Sequence, residues 1–403
     1  MSRRPAIETP ALRPGGGARA AGGVLLTVAV LLTALNLRPA ITSVGPLLGA
    51  IRDTFGTSAT WAGVLTTLPG LCFAAAGLTA PWLARRIGLG PAITVALAVL
   101  TAGLLARVAA GPLVLLGGTL IATGGIALAN VLIPVVIKAS FPARVGLMTG
   151  LYTAALQGGG ALGSALTPPM EQTLGGWRGG LGGWAVLAAA ALLLWLPAAR
   201  GVPRVDGPAP AARGRSLLRN RLAWTVTLFF GCQSALAYVM MGWLPEVFID
   251  AGVDKSTAGL LVGLMSLIAV PISILVAPLA ARSARGQSGW IVGLGVPGVT
   301  GVLGLLLAPA AAPLLWTLLV GLGMSVFSLA LTVIGLRART ADDTARLSGM
   351  AQGIGYLLAG IGPFAFGALR DLTAGWTVPW LLVLGVYAVQ ICAGALAGRN
   401  RYV

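Results

Sequence analysis

Histidine is missing altogether from this 403-residue chain, and only ten residues are acidic. The first absence removes the usual zinc ligand, the proton shuttle that titrates near neutrality and the base of a nucleophilic triad. The second leaves few carboxylates: Glu8, Asp53, Glu171, Asp206, Glu246, Asp250, Asp254, Asp342, Asp343 and Asp371. Cys72, Cys232 and Cys392 stand far apart inside apolar runs, a spacing that fits neither a disulfide framework nor a metal site, and they are expected to be small buried hydrophobes. No Gly-x-x-x-x-Gly-Lys-Ser/Thr stretch occurs, so an ATP-driven pump within this chain is excluded. Together these absences argue against an enzyme, and neither a cofactor nor a metal is expected.

Charge of any sign is scarce. Only 9% of residues are charged, where a soluble surface carries roughly 25–35%, and 57% are hydrophobic. The composition is that of an all-α integral membrane protein. A helix needs about 20 apolar residues to cross the hydrocarbon. Apolar windows between charges give twelve such spans, at about 23–50, 59–80, 89–109, 112–137, 144–169, 178–197, 222–248, 256–281, 288–308, 312–337, 346–369 and 377–397. The runs are continuous and do not alternate, which excludes a transmembrane β-barrel.

The net charge of +17 would suggest nucleic acid in a soluble chain, but the charges fall between the spans and on alternate sides. With an even number of spans both termini share a face. That face collects 21 of the 27 basic residues, the opposite face has Arg52, Arg107, Arg178, Lys255 and Arg370, and Arg38 lies between them. Cytoplasmic loops accumulate Lys and Arg, so both termini are expected in the cytoplasm, in a bacterial inner membrane, with no nucleic-acid partner. The basic start followed by "VLLTVAVLLTALNL" imitates a signal peptide, yet the apolar run continues to Ala50, and the segment is expected to stay as the first span.

The longest loop divides the spans six and six, and the two sets repeat. "WAGVL" from Trp61 and "APWLAR" from Ala80 are echoed by "TAGLL" from Thr257 and "APLAAR" from Ala277, offsets of 196 and 197. "RVGLM" from Arg144 and the pair Gly158 and Gly160 recur as "RLSGM" from Arg346 and the pair Gly360 and Gly362, all at 202. The expected organisation is a disordered tail (1–20), a six-helix bundle (21–197), a cytoplasmic linker (198–221), a second six-helix bundle (222–397) and a short tail (398–403). Two pseudo-symmetric halves about an axis along the membrane normal are the plan of the major facilitator fold. Glycines on the fifth and eleventh spans suit close helix approach.

Several stretches carry a more specific likeness: "LNLRPAITSVGPLL", "APWLARRIG", "NVLIPVVIKASFPARVGLMTGLYTAALQGGGALGSALTPP", "QSALAYVMMGWLPEV" and "GIGPFAFGALRD". From about residue 30 to 390 the chain resembles the cyanate and nitroimidazole transporter branch (CynX/NimT) of the major facilitator superfamily. The resemblance implies movement of small anions or small nitrogen-containing organic molecules, by uptake or by efflux. The superfamily's loop pattern Gly-x-x-x-Asp-Arg-x-Gly is half kept, with Pro81 in place of the first glycine, Arg85 in place of the aspartate, and Arg86 and Gly88 matching. Arg85, Arg86 and Gly88, with Arg282 in the second half, are the candidates for a gating motif.

One residue in the first span demands an explanation. Arg38 sits near the middle of an apolar run, where an arginine costs roughly 2.5–3.5 kcal/mol on insertion scales, and no acidic residue lies at its depth. A buried unpaired guanidinium attracts an anion, so Arg38 is the candidate centre of a substrate site. The alternative is a structural Arg38 held by carbonyls beside Pro39 and by neighbouring polar side chains. Near the midplane with it are Asn36, Tyr152, Gln157, Gln233, Ser234, Gln352 and Tyr356, with Tyr238 one turn outward and Asn130 in the cytoplasmic third of the fourth span, uncharged donors and acceptors suited to a small planar or singly charged solute. The expected mechanism is alternating access by a monomer among membrane lipids. Without a central carboxylate or histidine, the coupling is expected to be facilitated movement, exchange, or symport with a proton carried by substrate or by a peripheral acid such as Glu246. The rival reading is a drug or metabolite efflux porter with a largely apolar cavity.

Overall fold

The computed structural model describes residues 16–203 and 217–403. The first span is built from pieces: α1 (Gly16–Asn36), α2 (Pro39–Thr42), a single tight turn (Gly45–Leu47) and α3 (Leu48–Phe55). Then come α4 (Ala59–Ile87), α5 (Leu89–Ala106), α6 (Pro112–Ser140) and α7 (Val145–Thr173), and the sixth span as α8 (Trp177–Gly182) and α9 (Trp184–Ala198). The second half has α10 (Arg221–Asp250), α11 (Lys255–Ala281), α12 (Ser288–Leu307), a tenth span in two pieces, α13 (Pro313–Met324) and α14 (Val326–Leu336), then α15 (Ala341–Thr373) and α16 (Thr377–Ala397). Eleven of these passes are long and apolar enough to cross a membrane. The 29-residue α7 supplies the twelfth, its run broken by polar residues and by Pro168 and Pro169.

Local chemistry sets the ends. Asn220 caps α10 by accepting from Leu222 and Ala223 N–H, Asp254 caps α11 by accepting from Thr257 N–H, and Thr340 caps α15 by accepting from Asp343 N–H. Gly88 has φ of +90° where α4 turns directly into α5, a conformation that a side chain would strain.

Two features add detail to the expected organisation and one differs from it. Helix α1 already begins at Gly16, within the expected tail, while the stretch apolar enough to cross a membrane begins at Gly23; residues 1–15 of the tail lie outside the described residues, as do 204–216 of the linker. The C-terminal segment is tied down: Val403 N–H donates to the Arg337 carbonyl, and Asn400 to that of Ala284. Of the cysteines expected to be buried, Cys72 is, Cys232 is half-buried and Cys392 is exposed, since a thiol facing lipid tails gives up no favourable surroundings.

Among the described residues, packing forms three large apolar cores and a small cluster of Cys72, Ala76 and Ala127. One belongs wholly to the first half, from Leu26 to Ala198, and one wholly to the second, from Ala223 to Ala397. The third joins both halves, bringing Leu47, Ile51 and Leu65 against Trp243, Phe248 and Phe366. It lies at the end of the bundle opposite the basic loops, and there the halves are shut.

Candidate functional site

The first span breaks because of its prolines. Pro39 has no N–H to give to the carbonyl four residues back, and Pro46 repeats the defect about two turns later. Arg38 sits in the gap, outside helical geometry at φ −121° and ψ −35°. The glycine-rich stretch of α7 packs against this gap. A methyl group at Gly159 would overlap the Leu35 carbonyl, one at Gly163 would overlap Pro39 and Thr42, and the stem of Arg38 passes 3.5 Å from where a methyl at Gly160 would stand. The stretch "GGGALG" is what lets a broken helix carrying an arginine lie beside α7.

Between the halves is a cavity of about 540 Å³, lined by Arg38 together with Asn130, Tyr152, Gln157, Ser234, Tyr238, Gln352 and Tyr356. Its walls run from mid-bundle to Thr149, Gly150, Ile274 and Leu331, which are exposed and lie toward the basic loops. Arg38 is the one formally charged residue in the lining. It is half-buried, and among the described residues its guanidinium makes a single hydrogen bond, a 3.6 Å donation to the Met241 sulfur. A guanidinium has five N–H donors, and a thioether is a weak acceptor.

The other groups are held more firmly. Tyr152 donates to Asn130 Oδ1 at 2.7 Å, Gln157 donates across the halves to the Ser266 carbonyl at 3.2 Å, and Gln352 donates to Ser348 at 2.7 Å. Tyr356 packs its ring 5.4 Å from Phe73, 5.2 Å from Phe230 and 6.4 Å from Tyr238, an aromatic wall drawn from both halves. Among the described residues the Ser234 hydroxyl has no hydrogen-bond partner.

Two expected members are elsewhere. Asn36 donates to the Leu32 and Leu187 carbonyls and faces α9. Gln233 is fully buried and donates to the Met324 carbonyl inside the second half. Asn36 is the last residue of α1, before the break that turns Arg38 toward the cavity, and Gln233 is one residue, about 100° of helical rotation, off the face that carries Ser234, Tyr238 and Met241. Met241 and Phe73 were missed because an apolar side chain gives no signal of facing a cavity.

The loop-motif residues do not form a charged gate among the described residues. Arg85, Arg86 and Arg282 are exposed at helix ends, with Arg86 stacked 5.0 Å over Trp82 and Gly88 serving the turn. Charged contacts between the halves lie at the opposite, shut end. Arg52 pairs with Glu246, and Lys255 pairs with Glu171 at 2.8 Å. Asp371 accepts from Ala59 N–H at 2.8 Å, and from Thr60 N–H and its hydroxyl at 2.6 Å, so a residue of α15 caps α4.

A model of the Major Facilitator Superfamily matches residues 26–367. The 2-nitroimidazole transporter of Escherichia coli (strain K12) is 38% identical over 382 residues, covering 94% of this chain and 97% of that one. The cyanate transport protein CynX of the same organism is 30% identical over 372 residues, covering 91% and 96%. Among solved structures, a bacterial homolog of the human lysosomal transporter Spinster, in an inward-facing and unoccupied conformation, superposes with a TM-score of 0.72 at 15% identity over 96% of this chain and 99% of that one.

Proposed function

The chain belongs to the major facilitator superfamily, in the branch of the 2-nitroimidazole and cyanate transporters, and from that premise we propose that it carries a small, singly charged anion bound at Arg38. It is a multi-pass membrane transporter. The observation that carries the finer reading is the guanidinium itself: it reaches a cavity open to one face and spends one donor on a sulfur, with no carboxylate within ion-pair distance among the described residues. Tyr152, Tyr238 and Tyr356 offer hydroxyls and ring edges, and Asn130, Gln157 and Gln352 offer amides, so a planar anion can be surrounded without a second formal charge. The volume suits a ring-sized solute better than a bare triatomic ion, since pockets of roughly 300–1,000 Å³ enclose drug-sized ligands.

The basic face is assigned to the cytoplasm of a bacterial inner membrane by its share of Lys and Arg, which makes the described state inward-open. Transport then consists of the two halves rocking about Arg38, with the pairs Arg52–Glu246 and Lys255–Glu171 and the Asp371 cap broken when the outer end opens. The protein acts as a monomer, and the coupling is facilitated movement, exchange, or symport with a proton carried by the solute or by Glu246.

The second reading, an efflux porter with a structural Arg38, is favoured by the apolar part of the lining, Leu37, Ile41, Ala237, Val270 and Phe327. Thermal stabilisation of the purified protein separates the two, because a ligand stabilises in proportion to its occupancy. Cyanate, nitrate and benzoate are compared with neutral benzamide in the wild type and in Arg38→Lys and Arg38→Gln. Stabilisation by at least one anion, lost in Arg38→Gln, is expected. Equal stabilisation by benzamide, retained in both variants, contradicts the anion reading.

A further inference from the structure

Arg107 follows the last residue of α5 at the outer end and reads in the sequence as one of a few non-cytoplasmic charges. It is 0% exposed. Among the described residues it has no carboxylate partner. One terminal nitrogen donates to the Ala40 carbonyl at 2.8 Å and the other to the Leu181 carbonyl at 3.0 Å. Both acceptors lie where a span is interrupted. Ala40 is in the four-residue α2 just past Arg38, and Leu181 is in the last turn of α8 before the sixth span restarts at Trp184. The Ala40 carbonyl has lost its helical donor, because Val44 N–H turns instead to Ile41. A buried carbonyl in that position needs another partner.

We propose that Arg107 is the positioning residue for Arg38: its planar fork fastens the interrupted first span to the interrupted sixth and so fixes the direction in which Arg38 enters the cavity. The backbone of Arg107 is itself anchored, since Gly118 of α6 lies so close that a methyl group there would overlap it. Lysine keeps the charge, but its three donors radiate from one compact nitrogen and lack the planar fork whose two terminal nitrogens each meet a separate carbonyl. The proposal rests on the reading that Arg38 binds the solute, but its first test does not.

In a background with Cys72, Cys232 and Cys392 replaced by alanine, single cysteines are placed at Ile41, next to Ala40, and at Val270, on α11 in the other half. Both positions line the cavity. Maleimide labelling rates are measured in purified protein with Arg107, Arg107→Lys and Arg107→Gln. The rate at Ile41→Cys is expected to change by about threefold or more in Arg107→Gln, because the loss of two charge-assisted hydrogen bonds frees the interrupted segment beside it, with a smaller change in Arg107→Lys and an unchanged rate at Val270→Cys. Should Arg107→Gln fail to fold or alter both positions, Arg107→Lys decides, and a change confined to Ile41→Cys supports the proposal. No change at Ile41→Cys, or parallel changes at both positions in both variants, overturns it. As a second readout, by calorimetric titration, Arg107→Lys is expected to weaken binding of the most stabilising anion when Arg38 is present and to leave the weaker residual affinity of Arg38→Gln unchanged. An equal effect in both backgrounds contradicts action through Arg38.

Discussion

The same four helices behave differently at the two ends of the molecule. Toward the shut end their small residues are pressed against the opposite half: a methyl at Gly63 of α4 would stand 2.9 Å from the Pro363 carbonyl of α15, and one at Gly259 of α11 would stand 2.5 Å from the Ser164 carbonyl of α7. Toward the basic end Gly77 of α4, Gly150 of α7 and Gly353 of α15 have nothing within 4 Å. Ion pairs follow the same division, crossing between halves at the shut end, while the other end presents mostly arginines. A bundle held by close backbone contact and a few charge pairs at one end can hinge there and separate at the other, as a two-state carrier requires.

The difference can be broken most forcefully through the glycines. Gly259→Leu forces a side chain into the α7–α11 seam and is expected to destabilise the described state by about 1–3 kcal/mol, seen as a lower melting temperature. Gly353→Leu at the open end is expected to leave the melting temperature unchanged while transport falls, since the side chain obstructs only the closure of that end. A fall in melting temperature of equal size for both would erase the contrast. Next in size is Glu246→Gln. Glu246 is 5% exposed, and its partner side chain Arg52 is a quarter exposed, so the loss is expected near 2 kcal/mol, below the 3–5 kcal/mol of a fully buried pair. A double-mutant cycle with Arg52→Gln tests whether the energy belongs to the pair. Asp371→Ala removes the cap that α15 gives α4 and is expected to cost about 1 kcal/mol, with faster labelling of a cysteine placed at Thr60. The smallest effect is expected for Lys255→Gln, below about 1 kcal/mol, because both partners of that pair retain contact with solvent.

The sequence made the twelve spans and the two halves legible, because composition and spacing report directly on a bilayer and on a repeat. Arg38 was legible because a cation in hydrocarbon is costly wherever it points. The break beside it was not read from Pro39 and Pro46, although α10, the symmetry mate of the first span, runs unbroken through Pro245. Proline removes a donor, but whether the helix parts there depends on a neighbour able to take the freed carbonyls, and Arg107 and the glycines of α7 are distant in sequence. Asn36 and Gln233 were placed by depth alone; the break after α1 separates Asn36 from the cavity, and rotation about the α10 axis turns Gln233 away from it. Which end is shut is a property of one state, and a sequence encodes both.

The central claim is that Arg38 is the anion-binding group. Its most direct test is calorimetric titration, at fixed ionic strength, of the monoanion that most stabilises the wild type, against wild type and Arg38→Gln with matched melting temperatures. The account predicts a dissociation constant weakened by at least about tenfold in Arg38→Gln, from the roughly 1.5–3 kcal/mol carried by hydrogen bonds to a charged group. An unchanged dissociation constant would contradict it.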